Sequence, residues 1–139
     1  MRTVLFYLAD PSNETSLGWL FSFVSELRNT RNWTCTTPQL EQHSDASSCS
    51  APDDLPIETV GFSVCLNPPS VPPDLSLEQG YFEDLLFIVN EVARISAATT
   101  TEWEVEVDGE LVGTIELGAY DDGIRIGVLG GWNDMFGQP

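Results

Sequence analysis

Glu102-Trp103-Glu104-Val105-Glu106-Val107-Asp108-Gly109-Glu110-Leu111-Val112 is the stretch on which the fold turns. Acidic and apolar residues alternate from 102 to 107. That is the period of a strand buried on one side, with Trp103, Val105 and Val107 inward and the glutamates outward. Asp108-Gly109 is a strong hairpin signal, because the tight turn needs residues that tolerate positive φ. A two-residue loop would set Glu106 opposite Leu111 and Glu104 opposite Gly113, mixing the faces. A three-residue loop over 107–109 sets Val105 opposite Leu111 and Glu106 opposite Glu110. Register decides the face of every side chain, so the longer loop is expected. Asp121-Asp122-Gly123 turns the chain again, and Ile124, Ile126 and Val128 alternate as a third strand.

Upstream of this meander the period changes. Residues 2–8 are β-branched and aromatic and end at Asp10-Pro11, as a buried first strand would. Asn13 to Ser16 offer cap residues for a helix running to about Arg28. Leu17, Leu20, Phe21, Val24 and Leu27 form its apolar stripe, with Ser22, Ser25 and Glu26 opposite. Residues 30–56 form a long polar connection, unusual inside a compact domain unless it is functional, mobile or hides a short element. Ile57 to Leu66 reads as a strand with Val60, Phe62, Val64 and Leu66 on one face. A proline-rich linker, 67–75, follows. Ser76 to Gln79 has the form of a capping box for a second helix to about Ala98. Its broad apolar face of Phe82, Leu85, Leu86, Val89, Val92 and Ala93 suits packing on a sheet. The expectation is an α+β fold in one domain, 1–139: two helices packed on a mostly antiparallel sheet, in the order β-α-β-α-β-β-β.

Charge narrows the function classes. The 139 residues contain no lysine, and five arginines face 22 acidic residues for a net charge of −17. Residues 1–50 carry only −2 of this and residues 51–139 carry −15. Between Arg94 and Arg125 there is no basic residue, while Glu102, Glu104, Glu106, Asp108, Glu110, Glu116, Asp121 and Asp122 follow one another. Such a field repels nucleic acid and anionic membrane and attracts a basic partner. Solvated faces normally intersperse both signs, so a one-sign run marks a candidate binding surface. With 42% apolar residues the chain is too hydrophobic for a disordered acidic tail. The N-terminal apolar run is short for a signal peptide and no membrane-length segment exists, so a cytoplasmic location is expected.

The catalytic and metal-binding signals are weaker. His43 is the single histidine and lies among Ser44, Ser47, Ser48 and Cys49, but triads are assembled from distant parts of a chain. Cys35, His43, Cys49 and Cys65 are ligands of the correct type at spacings that match no compact zinc motif. A small hydrolase or metal-dependent enzyme centred on these residues stays open as an alternative. A third reading is a halophilic domain whose acidity serves solubility alone. No metal or cofactor is expected.

The run from Trp103 to Gly118, followed by Asp122 to Trp132, resembles the C-terminal part of small bacterial immunity proteins encoded beside polymorphic toxins. The resemblance rests on glycines, tryptophans and a hairpin in the C-terminal third alone. It implies a small, acidic, cytoplasmic, non-enzymatic protein that blocks a toxin. Together these readings lead to an inhibitor of a basic toxin domain, nuclease-like or otherwise acting on nucleic acid. A nucleic-acid mimic directed at a different cationic target is a close variant. The expected contact residues are the eight acidic residues from Glu102 to Asp122 just named, with Trp132 as a candidate aromatic anchor. Trp103 belongs to the core by alternation. The oligomeric state stays open.

Overall fold

The computed structural model describes residues 2–9, 18–45, 57–67, 72, 74–130 and 132. Within them lie strand β1 (Arg2–Leu8), helix α1 (Gly18–Arg28), strands β2 (Gln39–Asp45) and β3 (Ile57–Leu66), and helix α2 (Leu75–Thr99). Strands β4 (Glu102–Val107), β5 (Glu110–Glu116) and β6 (Ala119–Tyr120) follow, and then helix α3 (Asp122–Gly127). The six strands form one sheet in the order β2-β3-β1-β4-β5-β6, antiparallel at every pairing. The fold is α+β; β2 and β6 are strands beyond the expected order, and α3 stands where its last strand was expected.

Alternation decides what the sheet buries. Val4, Phe6 and Leu8 of β1 share a face with Val60, Phe62, Val64 and Leu66 of β3, Trp103 and Val105 of β4, and Ile115 of β5. Leu20, Phe23, Val24 and Leu27 of α1 and Leu85, Ile88, Val89 and Val92 of α2 close over it, and Ile124 of α3 joins the same core. The rings interlock at its centre. Phe6 stacks on Phe62 at 5.1 Å between centroids, while Phe23 meets Phe62 and Trp103 edge-on at 6.1 and 6.3 Å. Such geometries add attraction beyond the area they bury. On α1 the buried stripe runs through Phe23 rather than Phe21, which is 43% exposed. The expected cap residues 13–16 lie outside the described residues.

The connection 30–56 contains an element. β2 pairs with β3 from Gln39↔Ser63 to Asp45↔Ile57 and forms one edge of the sheet. Its approach is clamped from α2: the buried Asp84 carboxylate accepts from the Thr34 and Cys35 amides at 2.7 and 2.9 Å. Arg31 faces the other oxygen of that carboxylate at 3.2 Å. The cap of α2 is Asp74, which accepts from the Leu77 amide at 3.1 Å, and not Ser76, which lies inside the first turn.

The hairpin takes the shorter loop. Val107 pairs with Glu110, and Asp108 (φ 53) and Gly109 (φ 87) make the two-residue turn. The mixing of faces is avoided by a bulge. Glu106 is opposite Leu111 but Val105 is opposite Gly113, so Val112 is the extra residue and Trp103 regains Ile115 on the core side. The expected third meander strand over 124–128 is instead α3 and its C-terminal turn. Asp121 caps it, accepting from the Ile124 amide at 3.1 Å. Ile124 and Val128 stand four apart and both are buried, as in a helix; Ile126 between them is 62% exposed. A short run spaced by two and by four satisfies either period, and the cap decides.

Candidate partner-binding face

The residues that alternate away from the core form the second face of the sheet. All three described helices lie on the core side, and among the described residues no element covers this face. A lateral row crosses five strands: Glu41↔Gly61↔Tyr7↔Glu104↔Thr114. The adjacent row runs Gln39↔Ser63↔Leu5↔Glu106. Two residues before Glu104 and on the same face of β4, Glu102 stands opposite Glu116. The outward carboxylates of β4 are therefore joined by one from β5 and by one from the far edge of the sheet.

Local bonding sets how these carboxylates behave. The Tyr7 phenol donates to Glu104 at 2.7 Å, and Ser63 donates to Glu41 at 2.8 Å. Burial first, then the hydrogen bonds and charges of Glu106 and Glu104, push Tyr7 far above its ordinary 10.0, so the phenol stays neutral. At Glu102 partial loss of solvation, followed by the charge and hydrogen bond of Glu116 and the charge of Glu104, pushes the carboxyl upward. Among the described residues, the ion pairs Arg31–Asp84, Arg94–Glu91 and Arg125–Asp122 leave this face without a cation on Glu102, Glu104, Glu106 or Glu116.

The other expected contact residues divide by location. Glu110 is exposed at the start of β5. Asp108 is exposed at the turn, but it is tied to β1: its carboxylate accepts from the Thr3 amide and its own amide donates to the Thr3 carbonyl, both at 2.9 Å. Asp121 is committed to the α3 cap, and its second oxygen accepts from the Thr114 amide at 3.1 Å and hydroxyl at 3.2 Å. Asp122 is exposed and pairs with Arg125 at 3.2 Å. Trp132 cannot be an exposed anchor. It is only 7% exposed, its indole N–H donates to Glu78 at 2.7 Å, and Arg2 lies over its ring. Trp103 is fully buried, as alternation requires. Glu41 is not legible in the sequence because β2 has the composition of its polar connection, and Tyr7 is not because its strand was expected to be buried, with no sign of which β4 residue faces it.

Cys35 and Cys65 are both free thiols, in different surroundings. Cys35 is buried beside Asp84, and burial together with that negative charge pushes its thiol well up, away from a nucleophilic state. Cys65 is half-buried on the open face at 3.6 Å from the Thr3 hydroxyl. His43 belongs to β2, paired with Thr59, and Cys49 lies outside the described residues. Among the described residues no group of three or more histidine, cysteine or acidic side chains could hold a metal ion. No described helix is long and apolar enough to cross a membrane.

No protein-family model matches this chain, and no curated protein and no solved structure matches it at a significant level.

Proposed function

We propose that this protein is a non-enzymatic acidic binding protein of the cytoplasm, an immunity protein that inhibits a basic toxin domain by direct contact. The observation that carries the reading is the open sheet face, where Glu102, Glu104, Glu106 and Glu116 share a face with Glu41 and no described helix intervenes. Carboxylates held together on a stiff sheet raise the local potential, attract a cationic surface from a distance and disfavour partners of the wrong sign. Enzymes that act on nucleic acid present such surfaces in their substrate grooves, which makes a nuclease-like or other nucleic-acid-modifying toxin the fitting target. Blocking the groove would inhibit it without chemistry from the inhibitor.

The test starts with capture of the partner from host lysate at low salt on tagged protein, followed by elution with a salt step. One stoichiometric basic partner is expected. Its association rate is then measured with the double variant Glu104→Gln/Glu106→Gln, in which the amide oxygen still accepts from Tyr7. The rate should fall by about tenfold at low salt, with a flatter salt dependence. An unchanged rate would take the open face out of the interface.

A further inference from the structure

We infer that Leu117 is the apolar anchor of the partner-binding surface, packing against an apolar side chain that a basic partner flanks with lysine or arginine. The inference rests on the reading of the acidic face above. Leu117 and Gly118 form the two-residue turn between β5 and β6, with φ values of 51 and 85. The same molecule builds a second turn of this kind at Asp108 (φ 53) and Gly109 (φ 87). There the first position holds an aspartate, which tolerates the left-handed conformation and whose carboxylate accepts from the Thr3 amide. Leucine has no such local bond and is disfavoured at positive φ. It is also 70% exposed, the most exposed of the large apolar side chains described. Folding thus disfavours leucine at this position twice, through its backbone and through its hydration, and asparagine would remove both penalties.

What surrounds Leu117 specifies the occupant. A shallow depression is lined by Thr114, Glu116, Leu117, Ala119, Tyr120 and Asp121. Glu116 in turn faces Glu102 across the strand pair. An apolar centre with a charged rim is the arrangement of an interface hot spot, and here the rim has one sign. A second copy of the chain would bring −17 against −17, and an anionic lipid surface is repelled in the same way. A protein with a basic rim is complementary on both counts.

The experiment uses two labelled synthetic peptides of equal length and charge, one of lysine and leucine and the other of lysine and serine. Their binding to the full chain is followed by fluorescence anisotropy at low salt. Wild type should bind the lysine–leucine peptide more tightly. Leu117→Asn should weaken that binding by roughly ten- to hundredfold, the factor one buried leucine side chain supplies, and leave the lysine–serine peptide unaffected. Its melting temperature should rise, which separates lost binding from unfolding. Ile126→Asn removes a 62%-exposed side chain from α3 and should change neither affinity. An unchanged affinity in Leu117→Asn, or an equal loss in Ile126→Asn, overturns the anchor while the acidic face stands. Failure of wild type to bind the lysine–serine peptide overturns the acidic face, and the anchor with it.

Discussion

Tyr7 and Glu104 are partners across the β1–β4 pair, and the phenol donates to the carboxylate at 2.7 Å near the centre of the open face. The bond holds the Glu104 carboxylate in place, and Glu106 stands close enough to act on the same phenol. Tyr7→Phe should destabilise the protein by about 1–2 kcal/mol, as expected for a partly solvated hydrogen bond to a charged group. Denaturant unfolding measures it. The phenol titrates above its unfolded value, so its stabilising contribution is complete below pH 10.0 and declines as the pH rises further. Ultraviolet titration should therefore show the Tyr7 phenolate only as the protein unfolds.

Glu102 and Glu116 make the opposite kind of contact, two like charges across a ladder. Glu102 titrates above its ordinary 4.5, so the folded state binds its proton more readily than the unfolded state does. The associated stability is complete below 4.5 and is lost as the pH rises through the elevated value. Thermal melts should show this protein gaining stability on mild acidification from neutral pH. Glu116→Gln should raise the neutral-pH stability by about a few tenths of a kcal/mol, since exposure screens the repulsion, and should reduce the gain on acidification. A variant whose pH dependence matched wild type would show that the pair is not its source.

The fold class and the identity of the inward-facing strand residues were legible in the sequence because they follow from alternation. Trp103 and Val105 point inward, and the glutamates that alternate with them point outward, whichever turn joins the strands. The details that failed share a cause. The hairpin loop could not be deduced by matching faces, because the bulge at Val112 lets the two-residue turn and the correct faces coexist. Ile124 to Val128 carries a pattern compatible with either period, and its outcome is set by the Asp121 cap. β2 has the composition of a loop, and its strand form depends on pairing with β3, a long-range contact that local patterns do not encode. The candidate face inherits the same division. Its β4 carboxylates were readable along one strand, whereas Glu41 arrives from the far edge by topology.

The clamp at Asp84 accounts for the order of the segment before β2. A fully buried carboxylate is tolerable only because two amides and Arg31 surround it. Asp84→Ala should destabilise by about 3–5 kcal/mol, since it leaves the Thr34 and Cys35 amides without their acceptor and strands the Arg31 charge. Against a typical total stability of about 5–15 kcal/mol that is a large fraction. The loss should also open the chain around Cys35. Thiol labelling of the native variant is therefore expected to reach this buried sulfur, which should resist the reagent in wild type.

Asp108 tests whether a carboxylate in the acidic run serves the fold or the partner. Its side chain accepts from the Thr3 amide while its backbone occupies the left-handed region, so both its shape and its oxygen are in use. Asparagine retains an acceptor and tolerates that conformation, whereas alanine loses the acceptor and is strained there. Asp108→Ala should thus destabilise by about 1–2 kcal/mol, and Asp108→Asn by well under 1 kcal/mol. Both variants remove the same charge. If Asp108 acts only in the turn, Asp108→Asn should leave the association rate with a basic partner near wild type, in contrast to the Glu104→Gln/Glu106→Gln pair. A comparable slowing in Asp108→Asn would instead extend the binding surface from the open face to the hairpin tip.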